Sequence, residues 1–277
     1  MTGRRGFTLL EILVSLTLTV LVGGLGIRLL LRQHWASAAQ GERGALQSSL
    51  RAGTLYMMNE LREIGGTPAS PDILLFAPES LTYRAMRGFG VSCAIGAGRV
   101  TVEQPTYSGY RAPQGTRDSL LLHWEGSEFT LSDDQWVTLP ILAVGGGTCS
   151  GVPGLSFTTA LDTSIWSPGS FSTSAPARVF EVMQLKLYQS GGDHWLGTRS
   201  VSSGETIQPL VGPLASNGLT MVFLDSAGGT AAQASSIRNI ELTLRALTPN
   251  PVRSGAGFGA LQRGQDSLVT RIMLRNW

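Results

Sequence analysis

A chain of 277 residues is long enough for one large domain or two small ones. With 42% hydrophobic and 14% charged residues it does not have the composition of a disordered chain, and its 35 glycines suit a loop-rich β domain better than a helical one. The formal charge is +2, but removing residues 1–6 takes away Arg4 and Arg5 and no acid, which leaves 19 basic against 19 acidic residues and no bulk electrostatic case for nucleic acid.

The chain opens with two arginines and Gly6, then an apolar run of 25 residues from Phe7 to Leu31, enough to cross a bilayer as a helix. Residues Ile12 to Ile27 carry no charge, and Arg28 and Arg32 stand where they can reach toward headgroups. One acid, Glu11, interrupts the run. A carboxylate at membrane depth is costly and calls for a partner, and the α-amino group that Phe7 exposes if the chain is cut after Gly6 supplies one. A secretory signal cut near Gly23, Gly24 and Gly26 leaves Glu11 unexplained. A plain single-span anchor accounts for the hydrophobicity but not for Gly6, Phe7 and Glu11 together.

Gly6, Phe7, Thr8, Leu9, Leu10 and Glu11 resemble the processing site of type IV pilins and of the pseudopilins of type II secretion. The resemblance implies a prepilin peptidase cutting after Gly6, N-methylation of Phe7, and Glu11 meeting the Phe7 amine of a neighbouring subunit. It also implies an N-terminus in the cytoplasm, residence in the inner membrane before assembly, an inner-membrane assembly platform, and other major and minor pilins as partners through this helix.

Beyond Leu31, residues Leu46, Leu50, Thr54, Met57, Leu61 and Ile64 recur at spacings of four and three, which predicts an amphipathic helix. Glu42, Arg43, Arg51, Glu60, Arg62 and Glu63 read as its solvated face, and Gly65-Gly66 as its stop. One helix from Phe7 to Ile64 is about 87 Å long at 1.5 Å per residue. Gly23, Gly24, Gly26, Gly41, Gly44 and Gly53 each lower its propensity by up to about 1 kcal/mol. Bending or local melting is expected near Gly23 to Gly26, either as a hinge or as a place of close helix packing. The expected organisation is a leader over 1–6, a membrane or filament-core helix over 7–31, an amphipathic helix over 32–66 and a β-rich head over 67–277.

After Pro68 the period changes to two. Leu81 to Arg87, Arg99 to Glu103, Ser119 to Trp124, Glu128 to Leu131 and Trp136 to Ala143 read as strands. Val179 to Tyr188, His194 to Thr198, Leu219 to Leu224, Ile237 to Leu247 and Leu268 to Leu274 read as further strands, with two sub-sheets joined near 158–177, a Ser, Thr, Gly and Pro stretch. In RNIELTLRAL, Ile240, Leu242 and Leu244 alternate with Glu241, Thr243 and Arg245, a half-buried strand. Cys93 and Cys149 form an even pair. In an exported domain they suggest a disulfide; two free buried thiols are the alternative.

The helix ending MNELREIGG, the pair VMQLKLYQ and HWLGTRSV, then GLTMVFLDSAGG, IRNIELTLRAL and the final VTRIMLRNW resemble the layout of PilW-like minor pilins, and the J-type minor pseudopilin of type II secretion has a similar plan. The fold class expected is α+β: a long N-terminal helix followed by a mixed, largely antiparallel β domain.

No reactive constellation assembles from the sequence. His34, His123 and His194 are far apart, and no metal-ligand spacing is present. Asp193-His194 near Ser190 reads as a hairpin rather than part of a triad. Asp133, Asp134 and Asp225 read as turn residues rather than calcium ligands, and the glycine-rich segment 255–260 as a loop rather than a dinucleotide site. Tyr107, Tyr110, Arg111 and Arg117 mix rings and guanidiniums in the manner of a single-strand nucleic-acid surface, which makes DNA a further candidate partner, with an ordinary surface loop as the alternative. The expectation is a minor pilin with no catalytic residue, cofactor or metal. A type II pseudopilin, or an unprocessed membrane-anchored adhesin or DNA-binding module, is the alternative.

Overall fold

A computed structural model describes residues 8–67, 70–127, 130, 133–162, 171, 174–253 and 260–275. Helix α1 spans Leu9–Arg62. Thr8 caps it: its hydroxyl accepts the Glu11 N–H at 3.3 Å, and its carbonyl accepts the N–H groups of Glu11 and Ile12 at 3.1 and 3.2 Å. Hydroxyls inside the apolar half bond back to their own helix, Ser15 to the Ile12 carbonyl at 2.9 Å and Thr19 to the Ser15 carbonyl at 2.7 Å. Bonding of this kind satisfies the hydroxyl within the helix itself.

The expected stripe is present. Leu46, Leu50, Thr54, Met57, Leu61 and Ile64 are all buried. One expectation needs correcting. The helix runs unbroken through Gly23 to Gly26, without local melting. It ends at Arg62, close to the expected Ile64, whose N–H the Leu61 carbonyl accepts at 3.2 Å. Gly65 and Gly66, the expected stop, follow the end of the helix in extended chain, where the Asp72 carboxylate takes the Gly65 N–H at 3.0 Å and the Gly65 carbonyl takes the Asp72 N–H at 2.9 Å.

Two short strands follow, β1 (Gly66–Thr67) and β2 (Ser70–Pro71), paired with each other. The main strands are β3 (Ile73–Ala77), β4 (Ser80–Gly96), β5 (Arg99–Glu103), β6 (Ser108–Gly109), β7 (Ser119–Trp124), β8 (Gln135–Cys149) and β9 (Val152–Thr159). Beyond them come β10 (Pro176–Ser190), β11 (Asp193–Ser200), β12 (Gln208–Leu224), β13 (Asn239–Leu247), β14 (Val252–Arg253), β15 (Leu261–Gln262) and β16 (Gln265–Met273). The register is antiparallel in β4–β5, β5–β9, β9–β8, β8–β7, β7–β10 and β10–β4, and this circuit closes on itself. A closed antiparallel ring has no edges to protect.

Period-two alternation turns one set of side chains inward: Val100 and Val102, Leu120 and Leu122, Val137, Leu139 and Ile141, Ala177 and Val179 meet around Phe157. The pairing shifts register at Ser92/Ala94, Ile141/Ala143 and Val179/Phe180. Bulges of this kind let a long strand turn a corner. Strand β10 then continues into a second array, β10–β11–β12–β13–β16, in which Ile240, Leu242, Leu244 and Ala246 are buried on alternate positions of β13. Strand β4 also serves both arrays, pairing with β3 over Ser80–Tyr83 and with β5 over Ser92–Gly96. The two arrays are joined through these shared strands; of the stretch 158–177, where a join was expected, most of 163–173 lies outside the described residues.

The chain divides into two compact units, Met1–Ser49 with Leu247–Asp266 and Leu50–Ala246 with Ser267–Trp277. Within the second, the last turns of α1 pack on the sheet. A Cβ at Gly53 would lie 2.6 Å from a Val211 methyl, the Thr270 hydroxyl approaches the Met58 sulfur at 3.9 Å, and the Arg62 carbonyl accepts the Arg275 N–H at 3.3 Å. Within the first, the chain after β13 lies on α1: Asn250 donates its backbone N–H and Nδ2 to Glu42 at 3.0 and 2.8 Å, and the Arg253 guanidinium sits 4.6 Å from the centre of the Trp35 ring. Glu42 and Glu60, expected on a solvated face, are therefore both engaged: the Asn250 bonds hold the Glu42 carboxyl below its usual range, and Glu60 pairs with Arg87 at 2.9 Å.

Candidate functional site

The N-terminal motif has one described member with a side chain of interest. Gly6 and Phe7 lie outside the described residues; Glu11 stands exposed in the first turn of α1. Thr8-Leu9-Leu10-Glu11 has the spacing of a capping box, and a carboxylate at this position faces the positive end of the helix dipole. Glu11 thus has a local reason to be an acid, besides any role toward a neighbouring chain. From Leu9 to Leu31 no side chain is buried: Leu9 is 79% exposed and Leu31 45%. The segment is long and apolar enough to cross a membrane.

Cys93 and Cys149 are bonded, with Cα atoms 5.7 Å apart. The bridge ties β4 to β8, which the hydrogen-bond circuit separates by β5 and β9. It closes a loop of 56 residues' separation, worth about 4 kcal/mol in the chain-entropy account.

The residues nominated for nucleic acid take unequal roles. Arg111 grips Asp118 with two nitrogens at 2.7 and 2.6 Å and reaches Glu181 at 3.1 Å. Arg117 donates to the other oxygen of Glu181 at 2.6 Å and meets Glu205 at 3.0 Å. Arg87 completes the group, 3.0 Å from Glu181 and 2.9 Å from Glu60 at the end of α1. Asp118 and Glu181 are almost fully buried. Burial pushes the Glu181 carboxyl up, but bonds from Ser200, Arg87, Arg117 and Arg111 outweigh it and hold it below the usual range. The guanidiniums of Arg111 and Arg117 spend their charge on this cluster, Tyr107 is half-buried beside it, and Tyr110 alone of the four stands largely in solvent, 76% exposed.

Sequence reasoning missed Glu181, Asp118, Arg87 and Glu60. Glu181 carried a signal, being the one charge in the apolar stretch VFEVMQL of a strand expected to be buried. A second carboxylate, Asp72, is fully buried against Arg178 at 3.2 Å, and burial raises it. Around these pairs lies an open groove of about 800 Å³ lined by Glu63, Arg87, Phe89, Tyr110, Trp136 and Arg178 among others.

Two of the aspartates read as turn residues hold turns. Asp133 accepts the Ser127 N–H at 2.9 Å, and Asp225 accepts those of Ala227 and Gly229, both at 2.9 Å, as turn residues do. Asp193 and His194 open β11 after Gly191 and Gly192, whose φ values of 62° and 86° make the tight hairpin that glycine permits. His34, His123 and His194 stand on α1, β7 and β11. The loop 255–260 falls almost wholly outside the described residues. Comparison with protein-family models, with curated proteins and with solved structures finds no match to the chain. The long apolar N-terminal helix, the antiparallel sheet and the disulfide together are consistent with a pilin-like architecture.

Proposed function

We propose that this chain is a minor type IV pilin, a non-catalytic subunit that enters or primes a filament. One contrast carries the reading: α1 leaves every side chain from Leu9 to Leu31 unburied, while the same helix buries a continuous stripe from Leu46 to Leu61. An exposed apolar helix joined to a folded domain needs another solvent, lipid first and then the apolar helices of sibling subunits. In this reading a prepilin peptidase cuts after Gly6, Phe7 is methylated, and the chain waits in the inner membrane with its N-terminus in the cytoplasm. Glu11 then pairs with a neighbour's Phe7 amine. Such a pair adds little stability but fixes register, since a misplaced subunit leaves the charge unmatched.

Mass spectrometry of the N-terminus tests processing: a methylated Phe7 is expected, and an intact Met1 would replace the filament subunit by a plain anchor. Glu11→Ala is expected to lower incorporation into filaments about tenfold or more, the factor that 1.4 kcal/mol represents. Assembly of that variant at the wild-type level would remove the register role, leaving Glu11 only its place in the capping box.

A further inference from the structure

We propose that the groove bounded by β4, β6, β8 and β10 is a binding site for a neutral oligosaccharide. Its volume, about 800 Å³, falls within the roughly 300–1,000 Å³ of small-molecule sites. Three rings line it, Phe89, Tyr110 and Trp136, and the first two are 49% and 76% exposed. Single exposed rings are ordinary, but three in one concavity form an apolar platform open to a ligand.

The platform is held from behind. Gly109 pairs with Gly88, Ser108 with Phe89, and the Tyr110 N–H bonds the Arg87 carbonyl at 3.0 Å. The close approach needs glycine: a Cβ at Gly109 would lie 2.6 Å from the Arg87 carbonyl oxygen, and one at Gly88 would overlap the Tyr107 hydroxyl. The next residue, Arg111, is locked on Asp118, so Tyr110 projects from backbone fixed on both sides. Trp136 is flanked by the His123 ring, edge-on at 5.3 Å, and by the Arg178 guanidinium at 6.0 Å. Rings fixed in this way lose little entropy when they bind.

Electrostatics choose the ligand. Arg87 is paired with Glu60 and Glu181, and Arg178 shares the buried Asp72 with Arg84, so both guanidiniums are already committed to carboxylates of the fold. Arg178 gives one nitrogen to Asp72, and a guanidinium carries five donors. A ligand with flat C–H faces, a fringe of hydroxyls and no charge matches this arrangement: sugar rings stack their polarised C–H bonds on the negative faces of Tyr110, Phe89 and Trp136, while hydroxyls accept from Arg178.

The test uses the full chain in lipid nanodiscs, titrated by calorimetry with cellotetraose, chitotetraose and maltotetraose, and with dodecathymidylate as the polyanion. At least one tetrasaccharide is expected to bind, Tyr110→Ala to weaken it about tenfold or more, and Tyr110→Phe to retain it. Because Tyr110 is exposed, its alanine variant is expected to keep the wild-type circular dichroism and melting. Failure of all three sugars to bind, unchanged sugar affinity in Tyr110→Ala, or dodecathymidylate binding that depends on Tyr110 would each overturn the proposal.

Discussion

Glu181 is the residue on which the most charge converges. Three guanidiniums meet one buried carboxylate, and removing the carboxylate leaves cations facing one another in a protein interior, a change that typically costs about 3–5 kcal/mol. Glu181→Gln is therefore expected to melt well below wild type at pH 7. The pH dependence follows from the direction of its shift. A carboxyl held below its ordinary value contributes stability above the unfolded-state value, and that stability is lost as pH falls through the lowered one. Asp72 works in the opposite sense, since burial raises it and protonation on acidification relieves a cost. Melting curves from pH 7 to pH 3 should show the gap between wild type and Glu181→Gln closing toward acid. A gap that stays constant would mean that shape, not charge, sets the loss. Such a cluster is hard to read in a sequence: Glu181 and Arg87 are 94 residues apart, and only folding makes them neighbours.

At the scale of the element, the glycines of α1 separate into two kinds that look alike in sequence. Gly53 packs against Val211, whereas a Cβ at Gly23, Gly24, Gly26, Gly41 or Gly44 would meet nothing within 4 Å. Gly44→Ala is accordingly expected to stabilise the isolated chain by up to about 1 kcal/mol through helix propensity alone. Gly53→Ala is expected to destabilise it by about 1–3 kcal/mol, because the new methyl has no space beside a stiff β-branched neighbour. Chemical denaturation of the two variants checks both signs. The five open glycines also fit the proposed filament, where close helix approach would come from other chains. The strand pattern was partly legible: Arg99 to Glu103 and Ser119 to Trp124 match β5 and β7 end for end. Strands β4, β8, β10 and β12 run longer than their apolar cores suggest, because each changes partner along its length and ladder pairing holds glycines and polar residues in extended chain as well.

For the whole molecule, α1 places two solvents in one chain. None of residues 9–31 is buried, so a chain lacking residues 1–31 is expected to stay soluble without detergent and to keep its unfolding free energy within about 0.5 kcal/mol of the full chain. Equilibrium denaturation of both in the same detergent makes the comparison; a larger loss would show that the apolar segment supports the fold.

The sequence by itself determined the helix, its change from an all-apolar to a one-sided pattern after Leu31, and the α+β class, because these rest on local periodicity that any short window displays. It nominated Cys93 and Cys149 but left their bonding open. Only the tertiary structure decided that six strands close into a ring, that β4 and β10 serve two arrays, and that Arg111 and Arg117 face inward to carboxylates while Tyr110 faces out. Those outcomes depend on which distant strands pair and which side chains then share a buried space, and residue spacing along the chain carries no record of either. The apolar face of Leu9 to Leu31 joins the two levels: its composition fixes that it must be covered, and among the described residues none of its side chains is buried.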